Sequence, residues 1–293
     1  MHIKTFFKDI PKLLQKTANN WLASEPFELS AIVAYYAILS LPALMVIILN
    51  LVGNIWGREI VQGELLDEIT KAVGVQTAES IRVMMLDRGD ESVSIFTTII
   101  GVSTLLYGAT GVFYQLQAAF DKIWKVKTDL KKNGFLQMIF SRLKSFGFIL
   151  IIGFLLLISF VLTALISTFS KRIEKLVPDN LFEYVYIVDF LMSVLFIYFL
   201  FSAMFKYLPS KTVRWRAVKV GAALTAVLFV IGKYLLAWYF NEMDPGSTYG
   251  AAGSVILIML WVSYSSLILF FGAHFTKVYA DTYLIEEQLS DAD

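Results

Sequence analysis

Cysteine is absent from the 293-residue chain, and histidine, proline and charged side chains are scarce. Without cysteine the chain forms no disulfides, no thiolate metal sites and no thiol nucleophile. The two histidines, His2 and His274, lie at opposite ends of the sequence, which argues against a histidine-based metal site. Charged residues make up only 17% of the chain, whereas soluble domains carry about 25%. With 57% hydrophobic residues, this composition is typical of a polytopic membrane protein.

Six apolar runs are each long enough to cross a hydrocarbon core of about 30 Å as a helix. We therefore expect an all-α, six-transmembrane-helix bundle with amphipathic interfacial helices and both termini in the cytoplasm. The predicted spans are 29–56, 93–120, 145–169, 184–205, 218–239 and 250–275. The predicted organisation is an amphipathic cytoplasmic segment 1–28, a membrane domain 29–277 with an external helical cap at 57–92, and an acidic tail 278–293.

Lysine and arginine are unevenly distributed over the connections between these spans. With the N-terminus inside, 17 of the 25 basic residues fall in cytoplasmic segments, 7 fall outside, and Lys233 lies within a span. The segments 121–144 and 206–217 are the most basic of them. Because basic residues concentrate on the cytoplasmic side of membrane proteins, this split predicts cytoplasmic termini.

The N-terminal segment predicts an amphipathic helix, with lysines every four residues from Lys4 to Lys16 and apolar residues on another face. Such a helix can lie on an anionic membrane surface, or it can pack on the protein's own cytoplasmic loops. Pro11 is expected to bend this helix or to end its first part.

In the first span, Pro42 predicts a kink, and the Ser40 hydroxyl is close enough in sequence to bond the backbone groups that the kink frees. The kink is either structural or a gating bend.

Two charged side chains lie inside apolar runs, Asp189 in the fourth span and Lys233 in the fifth. Charges at such depth are costly and normally face protein or a water-filled cavity. Each lies six residues from the predicted outer end of its span, so we predict that the two approach each other and line an outward-facing cavity. The alternative is that Lys233 extends to the outer interface by itself.

Small residues mark the predicted helix contacts. In the second span, Gly101, Gly108 and Gly111 share a face with Gln115, and a glycine stripe of this kind permits close helix packing. Tyr114 and Gln115 bring polar groups to the inner end of that span. The other glycines expected at helix contacts are Gly221, Gly232 and Gly253.

Four stretches together resemble the YihY/BrkB family of bacterial inner-membrane proteins. They are SAIVAYYAILSLPALMVIILNLVG, YGATGVFYQLQAAFDKIWKVK, KYLPSKTVRWRAVKVGAALTAVLFVIGKYLLAWYF and YGAAGSVILIMLWVSYSSLILFFGAHFTKVY, within residues 29–280. The resemblance implies six spans, cytoplasmic termini and multi-pass insertion in the inner membrane. It also implies a connection with virulence and with the cell envelope, and a role in moving envelope lipids for some members. His274 departs from it, because an acidic residue is expected there in the family's G-A-E-F-T pattern.

The function expected is that of a transporter or flippase-like protein for an envelope lipid or an amphipathic or ionic solute. The alternative is a membrane scaffold or envelope assembly factor that transports nothing. Ribonuclease activity, a label the family has carried, is not expected, because no cluster of histidine and carboxylate side chains would hold a catalytic metal. The expected partners are membrane lipids and no nucleic acid or nucleotide, since no phosphate-binding loop is present. Neither a cofactor nor a metal is expected, and a homo-oligomer is left open.

Overall fold

The computed structural model describes residues 3–40, 95–126, 182–243 and 253–284, together with single positions between 63 and 82. Side chains are described for residues 9–40, 108, 110–126, 190–191, 193–243, 253 and 255–284, and at those single positions. The helices are α1 (Ile3–Leu22), α2 (Pro26–Ser40), α3 (Ile95–Ile123), α4 (Phe182–Tyr207), α5 (Trp215–Met243) and α6 (Gly253–Tyr279), and a π-helical turn, Ala280–Leu284, follows.

All regular structure in the described part of the chain is helical, which confirms the predicted all-α class. Among the described residues, two helices are long and apolar enough to cross a membrane, α5 and the stretch Val255–Leu284. Of their apolar stretches, 28% and 33% is fully buried. The bent pair α1–α2 would be a third if it forms one broken span.

Helices α1 and α2 meet at a sharp elbow. Their axes differ in direction by 66°, and Glu25 between them has a positive φ of 57°. Helix α1 continues through Pro11, so of the two expectations for this residue the end of a helix is wrong, and the bend stays a prediction. A proline inside a helix removes one backbone hydrogen bond, and the packing of the following turns on α6 holds α1 together. Leu13 is buried against Phe275 and Val278 there.

Among the described helices, the closest packing joins α5 and α6, which run antiparallel. Gly221 on α5 lies against Thr276, and Gly272 on α6 lies against Thr225. Both threonines are fully buried, and each hydroxyl donates 2.7 Å to the carbonyl of the glycine one turn earlier in its own helix. The two hydroxyls are therefore satisfied without any bond across the interface.

Aromatic side chains fill the space between α3, α4 and α5. The rings of Phe201 and Phe205 on α4 are 6.2 Å apart. Phe205 also contacts Phe120 on α3 at 5.9 Å, and Phe201 contacts Phe229 on α5 at 5.6 Å. These rings join three helices in one cluster, which also includes Leu208 and Val213 of the loop between α4 and α5.

Helix ends gather at one end of the bundle, which we call the basic end because it carries Lys122, Lys206, Lys211, Arg214 and Lys277. Helices α2 and α5 begin there, and α3, α4 and α6 end there. The contacts that show this are Glu25–Lys122, Gln117–Ser210, Asp121–Ser210, Arg214–Leu284 and Ser24–His274.

Several predicted features lie wholly or partly outside the described residues. These are Pro42 and the rest of the first span beyond Ser40, the third span 145–169, most of the cap 57–92 and the tail beyond residue 284. The described positions between 63 and 82 are helical, and Ala78 is buried.

Candidate functional site

The loop between α4 and α5, residues 208–214, is clamped to the end of α3. Both carboxylate oxygens of Asp121 accept hydrogen bonds from Ser210, one from the backbone N–H and one from the hydroxyl, each at 2.7 Å. Gln117, one turn before Asp121, donates to the same hydroxyl at 3.2 Å. Bonds to an ionised carboxylate are stronger than neutral ones, so this clamp fixes the loop's direction as it leaves α4.

Lys206 and Trp215 meet across the same loop. The Lys206 ammonium donates to the carbonyl of Val213 at 2.6 Å and lies 5.4 Å from the centre of the Trp215 ring. The Trp215 ring also makes an edge contact with Tyr207 at 6.3 Å. The ammonium therefore has a defined position at the loop and keeps further N–H groups for another acceptor.

Arg214 ties the loop to the C-terminal π-helical turn. Its guanidinium donates to the carbonyl of Leu284 at 3.0 Å. The Arg214 carbonyl accepts from the backbone of Ala217 and Val218, which begins α5. The loop is thus held on three sides, by α3, by α4 and by the π-helical turn that follows α6.

An open cleft of about 450 Å³ lies beside this loop. Its lining residues are Lys206, Thr212, Val213, Arg214, Trp215 and Arg216. Of the described residues that line it, three are cationic and none is acidic. A smaller cavity of about 120 Å³, which Asp281 and Lys211 help to line, shares the loop residues from Thr212 to Arg214.

The lining of the cleft has the composition of an anion-binding site. Arginine and lysine side chains supply several N–H donors, and a threonine hydroxyl adds another. Among the described residues, no group of three or more His, Asp or Glu side chains lies close enough to hold a metal ion.

Of the predicted path residues, Lys233 is half-buried and its ammonium lies 5.9 Å from the centre of the Tyr234 ring. Asp189 lies on α4, a direct neighbour of α5, but its side chain is outside the described residues. Neither of the two cavities above is lined by Lys233.

The other predicted polar residues occupy α2 and α3. Tyr114 is 44% exposed, Gln115 is half-buried, and the Ser40 hydroxyl donates to the Ala37 carbonyl at 2.9 Å. Pro42 is outside the described residues. That these side chains line one path with Lys233 stays a prediction.

The predicted packing glycines lie mostly at helix crossings. A methyl group at Gly108 would come within 2.8–3.0 Å of Ser40, and one at Gly111 would overlap the Tyr36 ring. One at Gly232 would lie 2.5 Å from the Tyr264 hydroxyl. Gly253 is the buried first residue of α6. Gly101 lies on α3, and its contacts are outside the described residues.

Sequence reasoning missed the partners of these glycines and the cleft itself. Gly272, Thr225 and Thr276 were not singled out, although Gly221–Thr225 and Gly272–Thr276 repeat one glycine-to-threonine spacing on two helices. The basic residues of the cleft were assigned to membrane orientation alone. The signal that could have separated the two explanations is Trp215, an aromatic ring set between Arg214 and Arg216.

His274 is buried at the α1–α2 elbow and bonds to Ser24, with 3.1 Å between Nε2 and Oγ. The Ser24 hydroxyl donates its one proton to the Trp21 carbonyl at 2.7 Å. The hydroxyl must then accept from the histidine, so Nε2 carries a hydrogen. His274 therefore serves as a structural link between the elbow and α6.

Comparison with known proteins gives a family match over nearly the whole chain. The model of a family described as "Virulence factor BrkB" matches residues 17–292. No solved structure matches the chain significantly. The match confirms the resemblance carried by the four sequence stretches.

Individual relatives match over shorter segments. A UPF0761 membrane protein of Histophilus somni is 24% identical over 183 residues, which cover 62% of this chain and 61% of the relative. One from Glaesserella parasuis is 27% identical over 123 residues, 41% of this chain and 43% of the relative. One from Mannheimia succiniciproducens is 33% identical over 87 residues, 29% of this chain and 30% of the relative. The chain thus spans less than two thirds of each relative's length. From the family match and the apolar helices together, the chain is a membrane protein of the BrkB family.

Proposed function

We propose that the protein is a transporter or flippase-like protein of the bacterial inner membrane, with six spans and both termini in the cytoplasm. Its substrate is an envelope lipid or another amphipathic or ionic solute. The proposal includes no enzymatic activity, and its partners are membrane lipids rather than nucleic acid or nucleotides.

The observation that carries this proposal is Lys233. It lies 10 residues before the end of α5, one of the two described helices long and apolar enough to span a membrane, and it is half-buried there. A lysine costs about 2.5–3.5 kcal/mol on insertion scales at the centre of a membrane-spanning helix, and less toward the helix ends. Ionisable side chains kept at such a cost mark substrate or ion paths more often than they serve packing.

Helix directions at the basic end support the six-span arrangement. Helices α3 and α4 both end there, so the chain between them has to return to the opposite end before α4 begins. The predicted third span, 145–169, falls in that interval, outside the described residues. The positive-inside rule then assigns the basic end to the cytoplasm.

The close packing of α5 on α6 favours a second function, a membrane scaffold or assembly factor. The fully buried threonines and the glycines facing them leave no room for a path between these two helices. If a path exists, it must therefore follow another face of α5.

The deciding experiment is lipid and ion flux in liposomes that carry the purified protein. We expect flux above that of empty liposomes, lost in Lys233→Met and kept in Lys16→Met, which removes an exposed lysine from α1. Thermal unfolding should show that both variants are folded. Wild-type flux equal to that of empty liposomes would reject transport and favour the scaffold.

A further inference from the structure

We propose that the cleft at the basic end binds the phosphate of an anionic lipid headgroup. The cleft is the 450 Å³ space lined by Lys206, Thr212, Val213, Arg214, Trp215 and Arg216. Binding itself does not require that the protein transports anything. That the bound lipid is also the transported one rests on the proposed function.

The charges of the cleft select an anion. Three cationic side chains line it, and none of its described lining residues is acidic. Asp121 accepts two hydrogen bonds from Ser210, and Asp281 lines the smaller cavity beside it. A phosphate offers several oxygens at once, which suits guanidinium groups that present N–H donors in a planar fork.

The position of the cleft favours a lipid headgroup over a free anion as its ligand. It opens where α4 ends and α5 begins, and two aromatic rings stand beside it in mutual contact. Tyr207 is 58% exposed and Trp215 is 47% exposed. Tyrosine and tryptophan are enriched at the level of lipid headgroups, where their rings meet acyl chains and their polar atoms meet water.

An exposed ridge runs along α5 from the cleft toward the other end of the helix. It consists of side chains spaced four residues apart, which are neighbours on a helix surface. Its members are Trp215, Lys219, Ala223, Val227, Ile231 and Leu235, and every one of them is exposed. After Lys219 the ridge is wholly apolar. A lipid with its phosphate in the cleft can therefore lay its acyl chains along α5.

The experiment measures lipid binding by native mass spectrometry of the purified full-length protein in detergent. Phosphatidylglycerol is the anionic probe, phosphatidylcholine is the neutral one, and inorganic phosphate is a soluble competitor. The test variant is Lys206→Gln combined with Arg216→Gln. Lys16→Gln is the matched control, because it removes one exposed cation outside the cleft. A second variant, Trp215→Ala, removes the ring and leaves the charges.

We expect phosphatidylglycerol to bind more tightly than phosphatidylcholine. Each cation near an anionic lipid contributes about fivefold in affinity, so the double variant should lose roughly 25-fold and lose its preference for the anionic lipid. Lys16→Gln should stay within about twofold, because a screened charge at a distance contributes little. Trp215→Ala should weaken both lipids.

Three results would overturn the proposal. One is equal loss of affinity in the cleft variant and in Lys16→Gln, which would mean general surface charge. Another is displacement of the lipid by millimolar inorganic phosphate, which would make free phosphate the ligand. The third is unchanged binding in a double variant whose thermal unfolding matches the wild type. Because flux is not measured, none of these outcomes depends on transport.

Discussion

Gly221 on α5 lies so close to Thr276 on α6 that a methyl group at position 221 would overlap the threonine hydroxyl. The relationship is reciprocal, because Gly272 on α6 faces Thr225 on α5 in the same way. Small residues let two helix backbones approach, and dispersion contacts then stabilise the pair where lipid offers no hydrophobic driving force between helices. This double contact makes α5 and α6 a rigid unit on which α4 and α1 pack.

Gly221→Ala should therefore destabilise the protein by about 1–3 kcal/mol, since the added methyl group forces α5 and α6 apart. The measurement is thermal unfolding in detergent. Gly63→Ala is the control, because nothing lies within 4 Å of a methyl group built there. Combining Gly221→Ala with Thr276→Ala should recover part of the loss, as it removes the overlapping hydroxyl. Equal stability of Gly221→Ala and Gly63→Ala would contradict the close contact.

Much of this architecture is predictable from sequence, and the limits have a physical cause. Whether a helix can cross a bilayer depends on its own length and hydropathy. The apolar runs at α5 and α6 therefore indicate membrane helices without reference to their neighbours. Which glycine meets which threonine depends on how two helices face each other. That relationship comes from the packing of the whole bundle, so a single sequence carries the spacing of Gly221 and Thr225 but not their partners.

The candidate cleft shows a second limit. Membrane orientation already accounts for basic residues such as Lys206 and Arg214. Their charge in the sequence therefore does not indicate a binding site. Only the fold shows that the loop is clamped by Asp121 and that Trp215 lies beside the Lys206 ammonium. For α1, the apolar face can be predicted from the sequence, but the packing of that face on α6 cannot.

Asp121→Ala should loosen the α4–α5 loop and leave the bundle folded. The substitution removes both acceptors of Ser210, and one bond to a charged group is worth about 1.5–3 kcal/mol at most. Hydrogen exchange followed by mass spectrometry should show faster exchange over 208–214. Glu242→Gln, an exposed change at the last turn of α5, is the control and should leave that loop unchanged. Unaltered loop exchange in Asp121→Ala would show that the clamp does not hold the loop.

Ser24→Ala should destabilise the α1–α2 elbow by about 1–3 kcal/mol, because the buried His274 Nε2–H loses its acceptor. Ser24→Thr keeps the hydroxyl and should retain most of the stability. His274→Gln should also be tolerated, since its amide can donate to the same hydroxyl. Thermal unfolding of the three variants compares them directly. If Ser24→Thr loses as much as Ser24→Ala, the site responds to shape rather than to hydrogen bonding.

Reporter fusions test the proposed topology. Fusions after Asp293 and near residue 130 should report a cytoplasmic location, because they follow helices that end at or near the basic end. Fusions near residues 75 and 245 should report the opposite side. A reporter that requires the oxidising periplasm and one that requires the cytoplasm give complementary signals at each position. An external C-terminus would reject the six-span arrangement.

The last prediction concerns Asp189 and Lys233. Helices α4 and α5 are antiparallel neighbours, and Lys233 is half-buried. Two contacts between α4 and α5 place the pair differently when extended at about 1.5 Å per residue. The Tyr207–Trp215 contact, 18 residues away, puts Asp189 and Lys233 at the same level. The Phe201–Phe229 contact lies nearer to the pair and is the better guide, and it puts Lys233 about 12 Å closer to the basic end. The long lysine side chain can cover part of such a gap, and one water can cover more.

A double-mutant cycle decides whether the two charges interact. Asp189→Asn and Lys233→Met should each lower stability or flux, and the combined variant should lose less than the sum by at least about 0.5 kcal/mol. The reason is that breaking one side of a buried pair leaves the other charge without compensation. Asp189→Asn combined with Lys16→Met is the control and should be additive, because Lys16 is exposed on α1. Additive losses for Asp189 and Lys233 as well would show that the two charges act separately.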